Sequence, residues 1–92
     1  MPSTFELKII TPQGPAYSAA VSHTRVPTDI GTVGVLANHA PFITLSLGGV
    51  LEVREESGDE KKFRVGPGFF EVSRNRASFL TQSFDDIKKS GA

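Results

Sequence analysis

The chain has few residues of the types that perform catalysis, and their spacing fits no common catalytic arrangement. It contains two histidines, His23 and His39, and no cysteine, which excludes a thiol nucleophile and a thiolate metal site. Asp29 could approach His39, but one carboxylate–imidazole pair without a placed nucleophile is weak support for acid–base catalysis. Two histidines without an HExxH motif or a carboxylate cluster do not indicate a metal site. We therefore expect no catalytic residue, no metal and no cofactor.

A pair of glycines, Gly31 and Gly34, suggests a phosphate-binding loop. That interpretation fails because no Gly-Lys-Ser/Thr follows and the segment leads into a predicted strand, not into a helix. The glycines are better explained by a tight bend that needs positive φ angles. We expect no nucleotide-binding residue here.

Read from the residues alone, Asn38–Phe42 is the best candidate for a docking loop. It contains His39 and Pro41 and leads directly into the uncharged run Ile43–Leu51. Loops held by a rigid scaffold frequently carry binding functions. A purely structural role, in which Pro41 locks the corner and His39 bonds the backbone, is equally compatible with this pattern.

The chain has 92 residues, which is the size of one small domain. Ten basic and ten acidic side chains cancel, so no net field favours a nucleic-acid partner. The charges are unevenly placed, because residues 1–51 carry four of them and the stretches 9–24 and 30–51 carry none. Charge depletion is typical of an interface core, although a small sandwich that simply buries its N-terminal half would show it too.

The longest mainly apolar run, Ala40–Leu51, is too short for a membrane span of about 20 residues, so we expect a soluble domain.

Apolar and polar residues alternate along most of the chain, which predicts strands. Turn residues recur about every eight to twelve positions, the spacing of an all-β sandwich or barrel. Two hairpins are predicted from their turns, one across Ser57-Gly58-Asp59 and one across Arg74-Asn75-Arg76. The predicted strands lie at 5–9, 16–26 (as one strand or two), 33–36, 42–47, 50–56, 61–65, 70–72 and 77–80.

The chain divides into a β-sandwich domain over residues 1–83 and a short tail over residues 84–92. Ser83, followed three places later by Asp86, is typical of a helix N-cap. Lys88 and Lys89 would complement the helix dipole at the other end. The predicted fold is therefore all-β with at most a short C-terminal helical turn, which is marginal without packing.

Several segments resemble the epsilon subunit of F-type ATP synthases. The opening Phe5–Pro12 is similar to that family's first strand and turn, and Pro67–Val72 is similar to its G-G-(I/F)-(L/V)-E-V segment. Thr44, Leu47 and Gly49 continue the likeness. The most specific segment fits the family pattern G-x-x-G-(V/I)-(L/Y)-x-x-H-A-P and reads Gly31-Thr32-Val33-Gly34-Val35-Leu36-Ala37-Asn38-His39-Ala40-Pro41. Together these segments cover about residues 4–82 in order.

The resemblance implies a flattened β-sandwich of about ten strands, the N-terminal domain of epsilon. Such a domain is a non-catalytic rotor part of the central stalk that binds the gamma subunit and the c-ring. The three turn together and couple proton translocation to ATP synthesis. By resemblance, Thr11 and Thr44 contact gamma. The residues that by resemblance lie at the c-ring end are Gly31, Thr32, Gly34, Asn38, His39, Ala40 and Pro41.

The resemblance also implies a location, on the cytoplasmic face of an energy-transducing membrane. This is the bacterial inner membrane or the equivalent organelle side, and the subunit associates with it only through the complex. The expected partners are thus gamma and the c-ring, without nucleic acid. Both uncharged stretches fall on the implied contact regions.

The chain departs from the family pattern in three ways. Thr32 stands where relatives often have an acidic residue, and Pro67 replaces the first glycine of the usual pair, which stiffens that bend. The family usually continues into a helical hairpin that can inhibit ATP hydrolysis and in some members binds ATP. Because the chain ends at Ala92, we expect neither hairpin-type inhibition nor nucleotide binding from it.

The residues alone leave two other functions open. A free-standing β-sandwich module for a peptide or small ligand needs a concave apolar pocket with converging polar groups, whereas a stalk joint needs a broad flat apolar face. A histidine-dependent hydrolase would lose its turnover in the variant His39→Ala.

Overall fold

The structure of the protein, a computed structural model, describes residues 3–87, and these form nine β-strands and no helix. The strands are β1 (Phe5–Thr11), β2 (Gly14–Thr28), β3 (Gly31–Leu36), β4 (Phe42–Ser46), β5 (Gly49–Glu55), β6 (Glu60–Val65), β7 (Gly68–Ser73), β8 (Arg76–Thr81) and β9 (Phe84–Ile87). The predicted all-β class is confirmed, with nine strands in these residues against about ten expected. Principal extents of 33 × 33 × 25 Å agree with a flattened sandwich.

One hydrogen-bonded path, β4-β7-β8-β1-β2-β5-β6-β9, supplies both layers of the sandwich. The long strand β2 joins them: its first half pairs with β1, and its second half pairs with β5 on one edge and β3 on the other. The register shifts between Val21 and His23, which marks the irregularity where β2 changes partners. The first layer is β4-β7-β8-β1 with the start of β2, and the second is β3, the end of β2, β5, β6 and β9.

The core lies between the layers and takes every second residue of the strands. Within residues 3–87 no buried side-chain nitrogen or oxygen lacks a partner; Thr24 Oγ1, for example, donates to the Glu52 carbonyl oxygen at 2.8 Å. Full burial of a large apolar side chain stabilises the fold by about 1.5–3 kcal/mol. The buried apolar residues are Phe5, Leu7, Ile9, Val21, Val26, Val35, Leu51, Val53, Phe63, Val65, Phe70, Val72, Ala77 and Phe79.

Both predicted hairpins are confirmed. Leu51 lies opposite Phe63 in the β5–β6 hairpin, and Phe70 lies opposite Phe79 in the β7–β8 hairpin. The β7–β8 turn is tight because Arg74 and Asn75 adopt left-handed φ angles of 54° and 61°, a conformation that asparagine tolerates well. The segment predicted at 16–26 as one strand or two is a single strand, β2.

The predicted helical turn after Ser83 is wrong for Phe84–Ile87, which form β9 and extend the second layer. The ring of Phe84 packs on that of Phe63 with centroids 4.9 Å apart, and β9 pairs with β6 along its whole length. This packing outweighs the local capping preference, because so short a helix has little stability of its own. Lys88 and Lys89 lie outside the described residues, and so does the rest of the predicted tail.

Candidate docking surface

The outer face of the first layer carries one apolar side chain from each of four neighbouring strands. Leu45, Phe69 and Leu80 are 64%, 37% and 36% exposed. Residues directly opposite each other on paired strands share a face, so the four side chains form one continuous strip. We call this strip the apolar row; in spatial order it is Leu45 (β4), Phe69 (β7), Leu80 (β8) and Ile10 (β1).

Two more exposed residues extend the row along β4. Ile43 lies two residues before Leu45 and is 64% exposed, while Leu47 follows the strand and is 79% exposed. Period-two alternation places Ile43 on the same face as Leu45. Contiguous exposed apolar patches usually mark a surface that a partner covers.

Charge increases across the same face toward the β7–β8 turn. The next positions beside the row are Glu71, Ser78 and Lys8, in register across β7, β8 and β1. Beyond them Glu6 lies opposite Arg76. An apolar centre with a charged margin is the usual anatomy of a protein–protein interface.

The two predicted gamma-contact threonines lie on the strands of the apolar row but point to its opposite face. Thr44 lies opposite the buried Phe70, between the exposed Ile43 and Leu45. Thr11 follows the inward series of β1, and its hydroxyl donates to the Gly14 carbonyl oxygen at 3.0 Å. Their immediate neighbours in sequence, not the threonines, supply the exposed apolar surface.

The predicted c-ring residues do not form one loop, because strand β3 separates them. Gly31 and Thr32 lie at the tip of the β2–β3 hairpin, where the Thr28 hydroxyl donates to the Gly31 carbonyl and accepts from the Ile30 N–H. Gly34 lies within β3 and pairs with Arg25. The tip is also attached to β4, since the Asp29 N–H donates to the Leu45 carbonyl at 3.1 Å.

The other four predicted residues occupy the β3–β4 connection: Asn38, His39, Ala40 and Pro41. Strand β3 separates this connection from the hairpin tip, because it runs from Gly31 at the tip to Leu36 at about 3.3 Å per residue. It lies beside the β7–β8 turn, because the Asn38 N–H donates to Asn75 Oδ1 at 2.7 Å. Asp29 and His39 are thus at opposite ends of β3, so the structure does not bring this carboxylate and this imidazole together.

The outer face of the second layer is charged. An open trough of about 1170 Å³ is lined by His23, Arg25, Glu52, Arg54 and Lys62, among others. The Arg54–Glu60 pair at 2.7 Å is more than half exposed, and such pairs contribute little stability.

Within residues 3–87 no three His, Asp or Glu side chains are grouped to hold a metal ion. Nor does this part of the chain contain a helix long and apolar enough to span a membrane.

The apolar row was not predicted from the sequence, although the sequence carries a signal for it. Three of its members belong to adjacent apolar pairs: Ile9-Ile10, Phe69-Phe70 and Phe79-Leu80. Successive strand residues point to opposite faces, so only one member of each pair can enter the core. The other member must face outward.

Comparison with known proteins gives one family. Residues 4–86 match the family described as ATP synthase, Delta/Epsilon chain, beta-sandwich domain. The chain is 39% identical over 80 residues to the ATP synthase epsilon chain of Pelotomaculum thermopropionicum, covering 87% of this chain and 59% of that protein. It is 30% identical over 87 residues to the sodium-ion-specific ATP synthase epsilon chain of Propionigenium modestum, covering 95% of this chain and 63% of that protein. It therefore spans about three fifths of the length of these relatives.

A shorter relative and two solved structures complete the comparison. The ATP synthase epsilon chain of Chlorobaculum tepidum is 35% identical over 78 residues, covering 85% of this chain and 89% of that protein. A chain of the Euglena gracilis mitochondrial ATP synthase superposes with a TM-score of 0.86 at 23% identity, over 94% of this chain and 55% of that one. A chain of the Tetrahymena thermophila ATP synthase central stalk and c-ring gives 0.73 at 17% identity, over 88% and 65%. At these identities the two structures establish the shared fold.

Proposed function

Because the chain belongs to the ATP synthase delta/epsilon-chain β-sandwich family, we propose that it is a non-catalytic central-stalk subunit of an F-type ATP synthase. In this role it binds gamma and the c-ring, turns with them, and couples proton translocation to ATP synthesis. It works on the cytoplasmic face of a bacterial inner membrane, or on the equivalent organelle side, and is held there by the complex. The observation that carries the proposal is the apolar row.

The apolar row is the proposed gamma contact. Leu45, Phe69 and Leu80 form a flat strip with charges only at its margin. A joint that transmits torque must not slip, and apolar contacts resist salt better than exposed ion pairs do. Thr11 and Thr44 lie in the strand segments that form this contact, next to Ile10 and to the exposed Ile43 and Leu45.

The proposed c-ring contact is the tip of the β2–β3 hairpin, with Gly31 and Thr32. Ile30 at this tip is 79% exposed, and the Thr28 hydroxyl bonds hold the turn in shape without a partner. Since the tip and the Asn38–Pro41 connection lie at opposite ends of β3, one flat ring surface does not suit both. We therefore assign the connection to the gamma side, next to Ile43.

A free-standing ligand-binding module has less support. The open trough of the second layer is lined by charged side chains such as Arg25, Glu52 and Lys62. A small-molecule site is normally a mostly apolar pocket with a few converging polar groups. A histidine hydrolase is disfavoured because His39 and Asp29 are apart.

The decisive experiment is capture of purified gamma and detergent-solubilised c-ring at low and high salt. We expect stoichiometric, salt-resistant capture by the wild-type chain. Phe69→Arg should weaken it about tenfold or more, because burying an apolar side chain of this size contributes about 1.5–3 kcal/mol. Val50→Arg is the matched control, since Val50 is 39% exposed, against 37% for Phe69, and lies on the outer face of the other layer.

Circular dichroism and thermal melting of both variants would verify that each one is folded. Undiminished capture by folded Phe69→Arg would place the gamma contact elsewhere. Absence of capture by the wild-type chain at either salt concentration would remove it from the stalk and favour a ligand-binding module.

A further inference from the structure

One asparagine in the β7–β8 turn ties together three segments that are far apart in the chain. Asn75 Oδ1 accepts a hydrogen bond from the Asn38 N–H at 2.7 Å, and Nδ2 donates to the Thr4 carbonyl oxygen at 2.8 Å. The Asn75 carbonyl oxygen also accepts from the Glu6 N–H at 3.4 Å. The turn, the start of β1 and the β3–β4 connection therefore meet at this residue.

The position of Asn75 is set by its hairpin. Its φ of 61° belongs to a two-residue turn between β7 and β8, which pair along their whole length. The connection that it holds, from Ala37 to Pro41, is not part of any strand. Asn38, whose N–H donates the bond to Asn75 Oδ1, is also left-handed with a φ of 64°. A turn between two fully paired strands thus holds a connection that belongs to no strand.

The held connection carries His39, the residue after Asn38. His39 Nδ1 lies 2.7 Å from the Ala40 carbonyl oxygen. Because a carbonyl oxygen only accepts, Nδ1 carries the proton, and Nε2 of the neutral ring is an acceptor. The Phe42 ring meets the imidazole edge-on at 6.0 Å between centroids. The neutral His39 ring therefore has one defined tautomer, and it packs against Phe42.

We infer that Asn75 is a positioning residue, which fixes the β3–β4 connection so that His39 offers Nε2 as an acceptor to an N–H donor of gamma, the partner proposed for this connection. The inference rests on the proposed function only for the identity of that partner. Asn75 acts through Asn38 and does not itself need to touch the partner. The Asn75–Asn38 hydrogen bond and the orientation of the His39 ring can be measured in the isolated chain, without the partner.

The first test uses the isolated chain and three variants. Asn75→Gly keeps the left-handed backbone and removes both side-chain bonds, whereas Asn75→Asp keeps an acceptor for the Asn38 N–H. Arg74→Gly is the matched control, because Arg74 is the other left-handed residue of the turn and is exposed. The readouts are NMR amide exchange at Asn38 and the ring ¹⁵N shifts of His39.

We expect Asn75→Gly to speed Asn38 amide exchange about two- to tenfold, the loss of one hydrogen bond. The same variant should reduce the population of the Nδ1–H tautomer of His39. Asn75→Asp should restore both values and Arg74→Gly should leave both unchanged. A general loss of stability would instead speed exchange throughout the strands. Unchanged exchange at Asn38 and an unchanged His39 ring in Asn75→Gly would overturn the positioning role.

The second test is capture of gamma and the c-ring by the same variants. We expect Asn75→Gly to weaken capture several-fold and Asn75→Asp to restore most of it. If Asn75→Gly frees His39 but captures its partners as well as the wild type does, the connection is not part of the docking surface and the inference fails. If the wild-type chain captures neither partner, the proposed function fails, and the NMR result alone decides whether Asn75 holds the connection.

Discussion

Tyr17 is the residue with the most clearly perturbed chemistry. Its hydroxyl donates to Glu55 Oε2 at 2.7 Å, and Lys61 Nζ lies 3.3 Å from the same oxygen. Its ring packs on Phe63 with centroids 4.7 Å apart. Burial of the hydroxyl raises the pKa of Tyr17 above its ordinary value, and the hydrogen bond to Glu55 and the negative charge of Glu55 raise it further. The neutral phenol is therefore favoured by folding.

This shift predicts a loss of stability at alkaline pH. Because the pKa of Tyr17 is higher in the folded chain than in the unfolded chain, its contribution is complete below about pH 10 and falls as the pH rises above that value. Tyr17 is the only tyrosine and the chain has no tryptophan, so phenolate absorbance reports this residue alone. We expect a titration midpoint above 10 in the folded chain.

Urea denaturation of the wild type and of Tyr17→Phe, each at pH 8 and pH 11, gives the stability side of the same prediction. The wild type should lose more stability than the variant between the two pH values. A normal phenolate midpoint in a chain that is still folded would contradict the proposed environment of Tyr17.

At the scale of elements, local signals predicted the two hairpins and most of the strands, but neither the long-range pairings nor β9. A few adjacent residues determine the geometry of the Arg74-Asn75 turn and of the Ser57-Gly58-Asp59 loop. The parallel pairing of β1 with β8 has no such signal, because it joins residues about seventy positions apart, such as Glu6 and Arg76. β9 was mistaken for a helix because its conformation depends on β6.

The packing of β9 predicts that its first residue stabilises the domain. Phe84 is half-buried on Phe63, so Phe84→Ala should cost about 2 kcal/mol, less than the roughly 3–5 kcal/mol of a fully buried phenylalanine. Asp86→Ala on the same strand is the control and should change the free energy of unfolding by no more than about 0.5 kcal/mol. The measurement is urea denaturation followed by circular dichroism.

Equal stability of Phe84→Ala and the wild type would mean that β9 does not hold to the second layer in solution. A gain of helical signal in the variant would indicate that the capping preference of Ser83 takes over once the aromatic contact is lost.

At the scale of the whole molecule, the candidate site could be predicted only in part. The uncharged stretches 9–24 and 30–51 include Ile10, Ile43, Leu45 and Leu47, all at least partly exposed. Phe69 and Leu80 come from the charged half of the chain. They join the row only through strand order, which no local pattern specifies.

The central position of β1 predicts slow folding. β1 lies between β2 and β8, so the first layer cannot form until the two ends of the chain have met. Folds dominated by such distant pairings refold in milliseconds to seconds. Stopped-flow circular dichroism after dilution from urea should show a refolding phase in this range. Complete refolding within microseconds would contradict the topology.

The apolar row has a consequence for synthesis in the cell. It takes Ile10 from near the start of the chain, Leu45 from the middle and Leu80 from near the end. A growing chain on the ribosome therefore has no finished contact surface until Leu80 has left the exit tunnel and β8 has paired with β1. A chain that ends before β8 lacks Leu80, which links Phe69 to Ile10 in the row. Under the proposed role of the row as the gamma contact, such an incomplete chain cannot form the full contact and is left out of the assembly.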